Sequence, residues 1–379
     1  MAALYELVIL GTPAPEQLTE LREIVATSVS AFGLVLGDEV AWTVLPEALE
    51  LQQQRATAAI FFGGVNAPST HVDALVRAAV PILPVVSELT KVSGEIPPVL
   101  QRLNCLDLTG GMQRVASALL ECAGLLPKQR TVFLSYRRTE ARAAALQLYD
   151  ALSARLFDVF LDTHDVAPAE DFQAVLWHRL CDSDVLIMLD TPSYFDSRWT
   201  SAEFGRALAK GIAVLRVGWP DTTPSIRTQT SSRVELVGEE VERDTGRLAQ
   251  SAIDRVCTQA EAVRSQSLAV RTVNLVSNLR NSIETIGGRV VAVGPHKAVH
   301  IELADGCQLI VYPTLGVPTS WTLHQAAMHS ANNSAAVVFD HIGLHPHWLA
   351  HIDWLGTQIR EVRWLKSSEA AWELAAWEG

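Results

Sequence analysis

A tryptophan and a glutamate four residues apart are the side chains of this sequence best suited to chemistry. Trp199 and Glu203 lie in the stretch SRWTSAE that starts at Ser197, and on a helix they would share one face, one turn apart. An indole beside a carboxylate suits a ligand with a planar ring and ribose hydroxyls. The carboxylate can accept hydrogen bonds from those hydroxyls and stabilise positive charge at the anomeric carbon. The pair is therefore compatible with cleavage of a ribosyl bond, which passes through an oxocarbenium-like state.

A second set of polar residues follows a run of apolar ones. Residues 131–134 predict a buried strand. Four polar residues come directly after it: Ser135, Tyr136, Arg137 and Arg138. Because open α/β sheets bind ligands at the carboxyl ends of their strands, we expect this set to border a ligand. An arginine there could hold a pyrophosphate by two parallel hydrogen bonds. The alternative is that Arg137 and Arg138 are surface charges that pair with Glu140 or Asp162.

Composition limits the class of protein. The chain of 379 residues is 49% hydrophobic and has a formal net charge of −12. The length suggests two or three domains, and the acidic balance disfavours a nucleic-acid partner. There is no run of 18 apolar residues and no N-terminal signal pattern, so neither a membrane partner nor secretion is expected. The five cysteines are scattered and never spaced as CxxC, which favours reduced thiols in the cytoplasm.

The residues from 1 to 126 alternate between strand-like and helix-like patterns. Apolar runs that predict strands stand at 7–10, 41–45, 58–62 and 82–86. A helical stretch separates each run from the next, which predicts a parallel sheet covered on both faces. The pair Gly63-Gly64 after a strand is compatible with a plain turn or with a loop close to a phosphate.

The residues from 130 to 265 show the same alternation in cleaner form. Strands are expected at 131–134, 159–161, 185–189 and 212–217, and helices at 140–156, 171–180 and 201–210. Residues 218–232, rich in Thr, Ser and Pro, predict a loop. The pattern of residues 239–285 predicts two helices, or one long kinked helix, that joins this part to the last.

The residues from 286 to 379 predict a small α/β domain of their own. An Asp-Gly pair at 305–306, between the apolar runs 299–303 and 308–312, is typical of a hairpin. Further strands are expected at 336–339 and 362–365, and helices near 319–329, 346–357 and 368–377. The sequence thus predicts three α/β units.

Histidines are concentrated in this last part. Eight of the eleven lie between residues 296 and 351. His347 and His351 have the spacing of a metal pair on a helix, but no Cys or Glu nearby completes a metal motif. We therefore expect no metal and interpret the imidazoles as structural or ligand-contacting groups. Thr319 or Ser320, at the start of a predicted helix, could hold a phosphate or cap the helix.

Four motifs in the middle part resemble a Toll/interleukin-1 receptor (TIR) domain in its bacterial form. In chain order they are VFLSYRR at 132–138, FDVFLDTHDVAP at 157–168, SDVLIML at 183–189 and SYFDSRWTSAEF at 193–204. The last contains the family's S-x-W-x-x-x-E pattern as Ser197, Trp199 and Glu203. The resemblance covers roughly residues 130–265 and implies a flavodoxin-like fold with a parallel sheet.

The resemblance also implies an activity. It makes Glu203 the catalytic glutamate of TIR NAD+ glycohydrolases and Trp199 the stacking residue beside it. Ser135, Tyr136, Arg137, Arg138 and Ser197 would contact NAD+, with Asp162 and Phe172 as further candidates at the border of the pocket. Nicotinamide leaves NAD+ as a neutral molecule, so no strong general acid is needed, which suits a site with one decisive carboxylate. NAD+ would be the substrate, and no cofactor is expected.

The family context predicts how such an activity would be used. The chain would cleave NAD+ to nicotinamide and ADP-ribose, or a cyclic isomer, as an antiphage effector. Self-assembly through the TIR domain would activate it, and residues 1–126 and 286–379 would sense a trigger ligand or protein. Two alternatives stay open: a non-enzymatic adaptor that acts by homotypic interaction, and a generator of a cyclic ADP-ribose messenger.

Overall fold

The computed structural model describes residues 3–126, 129–161, 172–220, 222–330 and 333–377. Three five-stranded sheets, with helices packed against them, make up the described chain. This confirms the predicted α/β class.

The chain divides into two compact units. One consists of Met1–Leu126, Ala269–His341 and His347–Gly379, and the other of Pro127–Leu268 and Ile342–Pro346. The first and third sheets belong to the first of these units, and the second sheet belongs to the other. The three domains expected at 1–126, 130–265 and 286–379 stay a prediction.

The first sheet has two covered faces. Its strands are β1 (Tyr5–Gly11), β2 (Val40–Val44), β3 (Ala56–Phe62), β4 (Ile82–Val86) and β5 (Leu106–Asp107). The helices beside it are α1 (Pro15–Ser30), α2 (Val72–Arg77), α3 (Val92–Glu95) and α4 (Met112–Cys122). All strands are parallel, in the order β2-β1-β3-β4-β5. Leu7 and Ile9 of β1 enter the core that includes α1 and α4, whereas Val8 and Leu10 enter the opposite core with α2.

The connection between β2 and β3 differs from the prediction. We expected a helical stretch there, but residues 45–55 contain no helix. The chain leaves β2 through Leu45, whose φ is +43°, and the next residue is Pro46, which has no backbone N–H to donate. Leu49 and Leu51, two positions apart, then both pack against the core on the α2 side. This spacing suits an extended segment, not a helix.

The second sheet has the predicted flavodoxin-like arrangement. Its strands are β6 (Thr131–Ser135), β7 (Asp158–Leu161), β8 (Val185–Asp190), β9 (Ala213–Gly218) and β10 (Ser232–Glu235). Its helices are α5 (Arg138–Ser153), α6 (Phe172–Cys181) and α7 (Arg198–Ala209). The strands are parallel in the order β10-β9-β8-β6-β7, which is the flavodoxin-like order 2-1-3-4-5 read from the other edge. β10 was not predicted, because only Val234 of its four residues is buried.

One long helix, α8 (Gln250–Thr285), follows this sheet. It begins later than expected, because residues 241–249 are not helical. Gly246 has a φ of +68°, and the side-chain amide of Gln147 brackets the backbone of Leu248 with hydrogen bonds of 2.8 and 3.1 Å. This backbone is thus held outside a helix. None of the described helices is both long and apolar enough to cross a lipid bilayer.

Buried charges fasten the first part of α8 to the second sheet. Arg130, directly before β6, donates two hydrogen bonds to Glu261 of α8, at 3.1 and 2.7 Å. Arg264, one turn further along α8, donates to Asp184 at 2.8 Å. Both guanidinium groups are fully buried. Because an unpaired charge is costly in such surroundings, the two pairs hold helix and sheet in one register.

The third sheet is mixed. Its strands are β11 (Arg289–Val293), β12 (Val299–Glu302), β13 (Gln308–Thr314), β14 (Ala335–Phe339) and β15 (Val362–Lys366), and its helices are α9 (Ser320–Ser330), α10 (Pro346–Gln358) and α11 (Ala370–Ala375). β11, β12 and β13 are antiparallel, and β13, β14 and β15 are parallel. The expected hairpin joins β12 to β13, with Gly306 at a φ of +86°. β11 was not predicted.

The polar residues singled out in this part have structural contacts. Thr319 caps α9, since its side-chain oxygen accepts a hydrogen bond from the Thr322 amide at 3.3 Å. His351 stacks with Trp354 on α10. Among the described residues, no group of three or more His, Cys, Asp or Glu side chains could hold a metal ion.

Candidate active site

A cavity opens at the carboxyl edge of the second sheet, where the strand order reverses. β6 lies inside this sheet with β7 on one side and β8 on the other. Open α/β sheets bind ligands at such a switch point. The cavity has a volume of about 650 Å³, which is within the range of about 300–1,000 Å³ usual for small-molecule sites.

Seven predicted residues line this cavity: Ser135, Tyr136, Arg137, Arg138, Ser197, Trp199 and Glu203. The first four come from the end of β6 and the start of α5, and the other three from the first turns of α7 and its cap. Of the remaining two predicted residues, Asp162 lies outside the described residues, as does the side chain of Phe172, where α6 begins.

Glu203 is held by one hydrogen bond from β6. The hydroxyl of Ser135 donates to Oε2 of Glu203 at 2.6 Å. The same hydroxyl oxygen lies 2.7 Å from the phenol oxygen of Tyr194. The carboxylate therefore lies beside the switch point, and its Oε2 is held by Ser135 at the end of β6.

Trp199 lies one turn before Glu203 on α7, and 41% of its surface is exposed. Ser197 caps this helix, because its side-chain oxygen accepts a hydrogen bond from the Trp199 amide at 3.3 Å. The cap fixes where the helix begins and so fixes the phase of Trp199 and Glu203 relative to the cavity. The exposed part of this indole, beside a carboxylate, is available to a planar ligand.

Arg137 is held by the loop between β8 and α7. Its Nη1 donates to the carbonyl oxygen of Ser193 at 3.0 Å, and its Nε is buried without a hydrogen-bond partner among the described residues. The same loop is held by Glu140, which accepts hydrogen bonds from the hydroxyl and amide of Ser193. Burial opposes ionisation of Glu140, but bonds from Ser193 and Thr191 outweigh it, and the charge of Arg137 adds to them, so the pKa of Glu140 is lowered. Arg138, by contrast, is exposed.

Two side chains of this site were missed from the sequence. Arg198 lines the cavity, and its guanidinium lies 4.5 Å from the ring centre of Trp199, in reach of a cation–π contact. Its position between Ser197 and Trp199 of the motif was the available signal. Tyr194 carried no signal of that kind, because a tyrosine next to a phenylalanine in the sequence is typical of the hydrophobic core.

A third missed residue lies behind the glutamate. Arg206, three positions after Glu203 on α7, places its guanidinium over the ring of Trp177 from α6. Both line a small cleft that Glu203 and Trp199 also border. Burial lowers the pKa of Arg206, and the carboxylate of Glu203 acts in the opposite direction. The spacing of three on one helix could have indicated this neighbour.

A short segment from late in the chain belongs to the same compact unit. Within Ile342–Pro346, the carbonyl of Ile342 accepts a hydrogen bond from Lys210 at 2.8 Å. The carbonyl of Gly343 accepts one from the Cys181 thiol at 3.2 Å. These contacts secure the ends of α6 and α7, the two helices that form the wall behind Glu203.

The arrangement can bind an anion and stabilise a cation within one cavity. Arginines line it at the start of α5 and at the start of α7, while Glu203 supplies a fixed negative charge. A negative charge in a partly buried site is most effective where positive charge develops during reaction. The cavity is thus suited to a phosphate-bearing ribosyl compound.

Comparison with known proteins agrees with this geometry. The family model described as TIR domain matches residues 132–249. Among curated proteins, none matches the chain. The matched residues contain all of the second sheet except Thr131, the first residue of β6, and every residue named above as lining the cavity. The resemblance inferred from the motifs is confirmed: the chain contains a TIR domain.

Proposed function

We propose that this protein cleaves the bond between nicotinamide and ribose in NAD+, with Glu203 as the catalytic residue. The observation that carries the proposal is the placement of Glu203, which borders a cavity of about 650 Å³ at the switch point and is held by Ser135. The family contains NAD+ hydrolases, and the motif residues Ser197, Trp199 and Glu203 are all present.

The reaction assigned to the site needs little proton transfer. The bond from C1′ of the ribose to the ring nitrogen breaks, its electron pair goes to that nitrogen, and nicotinamide leaves neutral. Glu203 stabilises the oxocarbenium charge at C1′. Water then adds to C1′ and releases a proton, which gives ADP-ribose; attack by the adenine ring instead would give a cyclic isomer.

The other cavity residues receive binding roles. Trp199 stacks on a ring of the substrate, and Arg138 and Arg198 pair with its pyrophosphate. In the cytoplasm such an enzyme would act as an antiphage effector that assembly through the TIR domain activates. The parts of the chain outside the TIR domain would receive the trigger.

The test is nicotinamide release from NAD+ over a wide range of protein concentration, so that assembly is also sampled. Wild type and Glu203→Gln are compared, with Glu373→Gln, an exposed glutamate on α11, as the matched control. Release by wild type and Glu373→Gln, with loss in Glu203→Gln, supports the proposal. Equal release from all three contradicts it. Oligomers without release at any concentration would favour the adaptor, and chromatography of the products separates hydrolysis from cyclisation.

A further inference from the structure

We propose that Tyr194 is a positioning residue for Glu203 and acts through Ser135. This inference rests on the proposed function, because it concerns how that site holds its carboxylate. The three side chains form one chain of contacts: the Tyr194 phenol lies 2.7 Å from the Ser135 oxygen, and the Ser135 oxygen lies 2.6 Å from Oε2 of Glu203.

The donor in each of these two hydrogen bonds follows from the number of hydrogens that the three side chains carry. An ionised carboxylate only accepts hydrogen bonds, so the single hydrogen of the Ser135 hydroxyl goes to Glu203. The Ser135 oxygen must then accept from Tyr194, whose phenol is the donor. Burial, together with the charge of Glu203, raises the pKa of Tyr194 well above its usual value, so the phenol keeps its proton.

Tyr194 cannot swing away from this arrangement. It begins a short 3₁₀ turn (Tyr194–Asp196) between β8 and α7, and its side chain is 0% exposed. Its amide donates to the Thr191 carbonyl at 3.0 Å. Its own carbonyl accepts from the Thr200 hydroxyl on α7, and its ring packs edge-on against Phe195 at 5.1 Å. The loop and the helix that carries Glu203 are thus tied to the same residue.

The consequence concerns both orientation and charge. With Oε2 held by Ser135, the orientation of the carboxylate is set before substrate arrives. A donor that itself accepts a hydrogen bond is polarised and binds an anion more strongly in a buried site. Without the Tyr194 hydroxyl, Ser135 has a buried oxygen without its donor and can turn its hydrogen elsewhere, so Glu203 should be less well placed and more easily protonated.

The experiment is a double-mutant cycle of Tyr194→Phe and Ser135→Ala. We expect Tyr194→Phe to lower kcat about tenfold, with little change in KM, and to move the acid limb of the kcat profile to higher pH. In the Ser135→Ala background the same substitution should have no further effect. Tyr312→Phe is the matched control, because that buried hydroxyl on β13 has no hydrogen-bond partner among the described residues. Thermal melting of each variant checks that it is folded.

A second readout does not need turnover. The titration of the Glu203 carboxyl is followed by carbon NMR, with the signal assigned by its loss in Glu203→Gln. Its midpoint should move to higher pH in both Tyr194→Phe and Ser135→Ala, and stay in place in Tyr312→Phe. If wild type and Glu203→Gln release nicotinamide equally but the titration moves, the proposed function fails and the positioning role stands.

Two results would overturn the positioning role and leave the proposed function intact. One is a folded Tyr194→Phe protein with wild-type kcat and an unmoved titration. The other is an equal loss of kcat from Tyr194→Phe in the presence and in the absence of the Ser135 hydroxyl, since that would place the tyrosine outside the chain of contacts.

Discussion

Arg130 and Glu261 are joined by two hydrogen bonds, although 131 positions separate them in the sequence. The guanidinium also lies 4.2 Å from the ring centre of Phe157. Arg130 stands just before the residues that match the TIR family, and Glu261 stands after them. The unit that holds the cavity is therefore stabilised by a charge pair from beyond both limits of the family match.

Removing the charge of Glu261 should strongly destabilise this unit. Glu261→Gln leaves the fully buried Arg130 without its counter-charge, and we expect a loss of about 3–5 kcal/mol in the free energy of unfolding. Glu284→Gln, an exposed glutamate near the end of the same helix, should change it by less than about 0.5 kcal/mol. Urea unfolding measures both. Similar values for the two variants would show that the buried pair contributes no more than a surface charge.

The protein should lose stability as the pH falls below neutrality, through His300. This side chain is buried in β12, its Nε2 has no partner among the described residues, and burial lowers its pKa to about 4. An unfolded histidine titrates near 6.5. Between pH 6.5 and 4 the unfolded chain therefore binds more protons than the folded protein. As the pH falls through this window, the free energy of unfolding decreases by about 3 kcal/mol.

Substitution of His300 tests this origin. His300→Leu should flatten the dependence of unfolding free energy on pH between 6.5 and 4, whereas His324→Leu, an exposed histidine on α9, should leave it as in wild type. Urea unfolding at several pH values within the window gives the slopes. The same slope in both variants would assign the effect to other groups.

Gly11 at the end of β1 should not tolerate a side chain. Its φ is +83°, and a Cβ there would lie 1.9 Å from the carbonyl oxygen of Phe62. Gly37 has a φ of +107° but open space around the position of its Cβ. We expect Gly11→Ala to cost more than about 2 kcal/mol and Gly37→Ala about 1 kcal/mol. Thermal melting ranks the two, and a larger loss for Gly37→Ala would contradict the steric argument.

The indole of Trp199 should affect substrate affinity more than the rate of the chemical step. Stacking of a base on an aromatic ring contributes about 1–3 kcal/mol, so Trp199→Ala should raise KM for NAD+ about 5- to 150-fold, and Trp199→Phe should raise it less. Trp372→Ala, the removal of a tryptophan that is 80% exposed, is the control. Steady-state kinetics decide, and an unchanged KM in Trp199→Ala would remove the stacking role.

The sequence predicted the features that local pattern determines. Apolar runs located most strands of all three sheets, and the motif spacing placed Trp199 and Glu203 on one helix. What escaped depends on partners distant in the chain. β10 has one buried residue and is a strand because β9 lies beside it. The irregular stretch before α8 is set by Gln147, about 100 positions earlier. Tyr194 resembles any core aromatic until the fold brings Ser135 within 2.7 Å of its hydroxyl.

The first and second sheets share one strand order. The first sheet therefore serves as an internal comparison that separates the effect of strand order from the effect of the side chains at the site. β1 ends at Gly11 and β6 at Ser135, each beside the point where the order reverses. In the first sheet the Thr12 hydroxyl donates to the Gly63 carbonyl at 3.0 Å across that point. If binding or cleavage of NAD+ depends on Ser135 and not on Thr12, the strand order that both sheets share is not sufficient for the activity. The side chains at the end of β6 would then supply what the strand order does not.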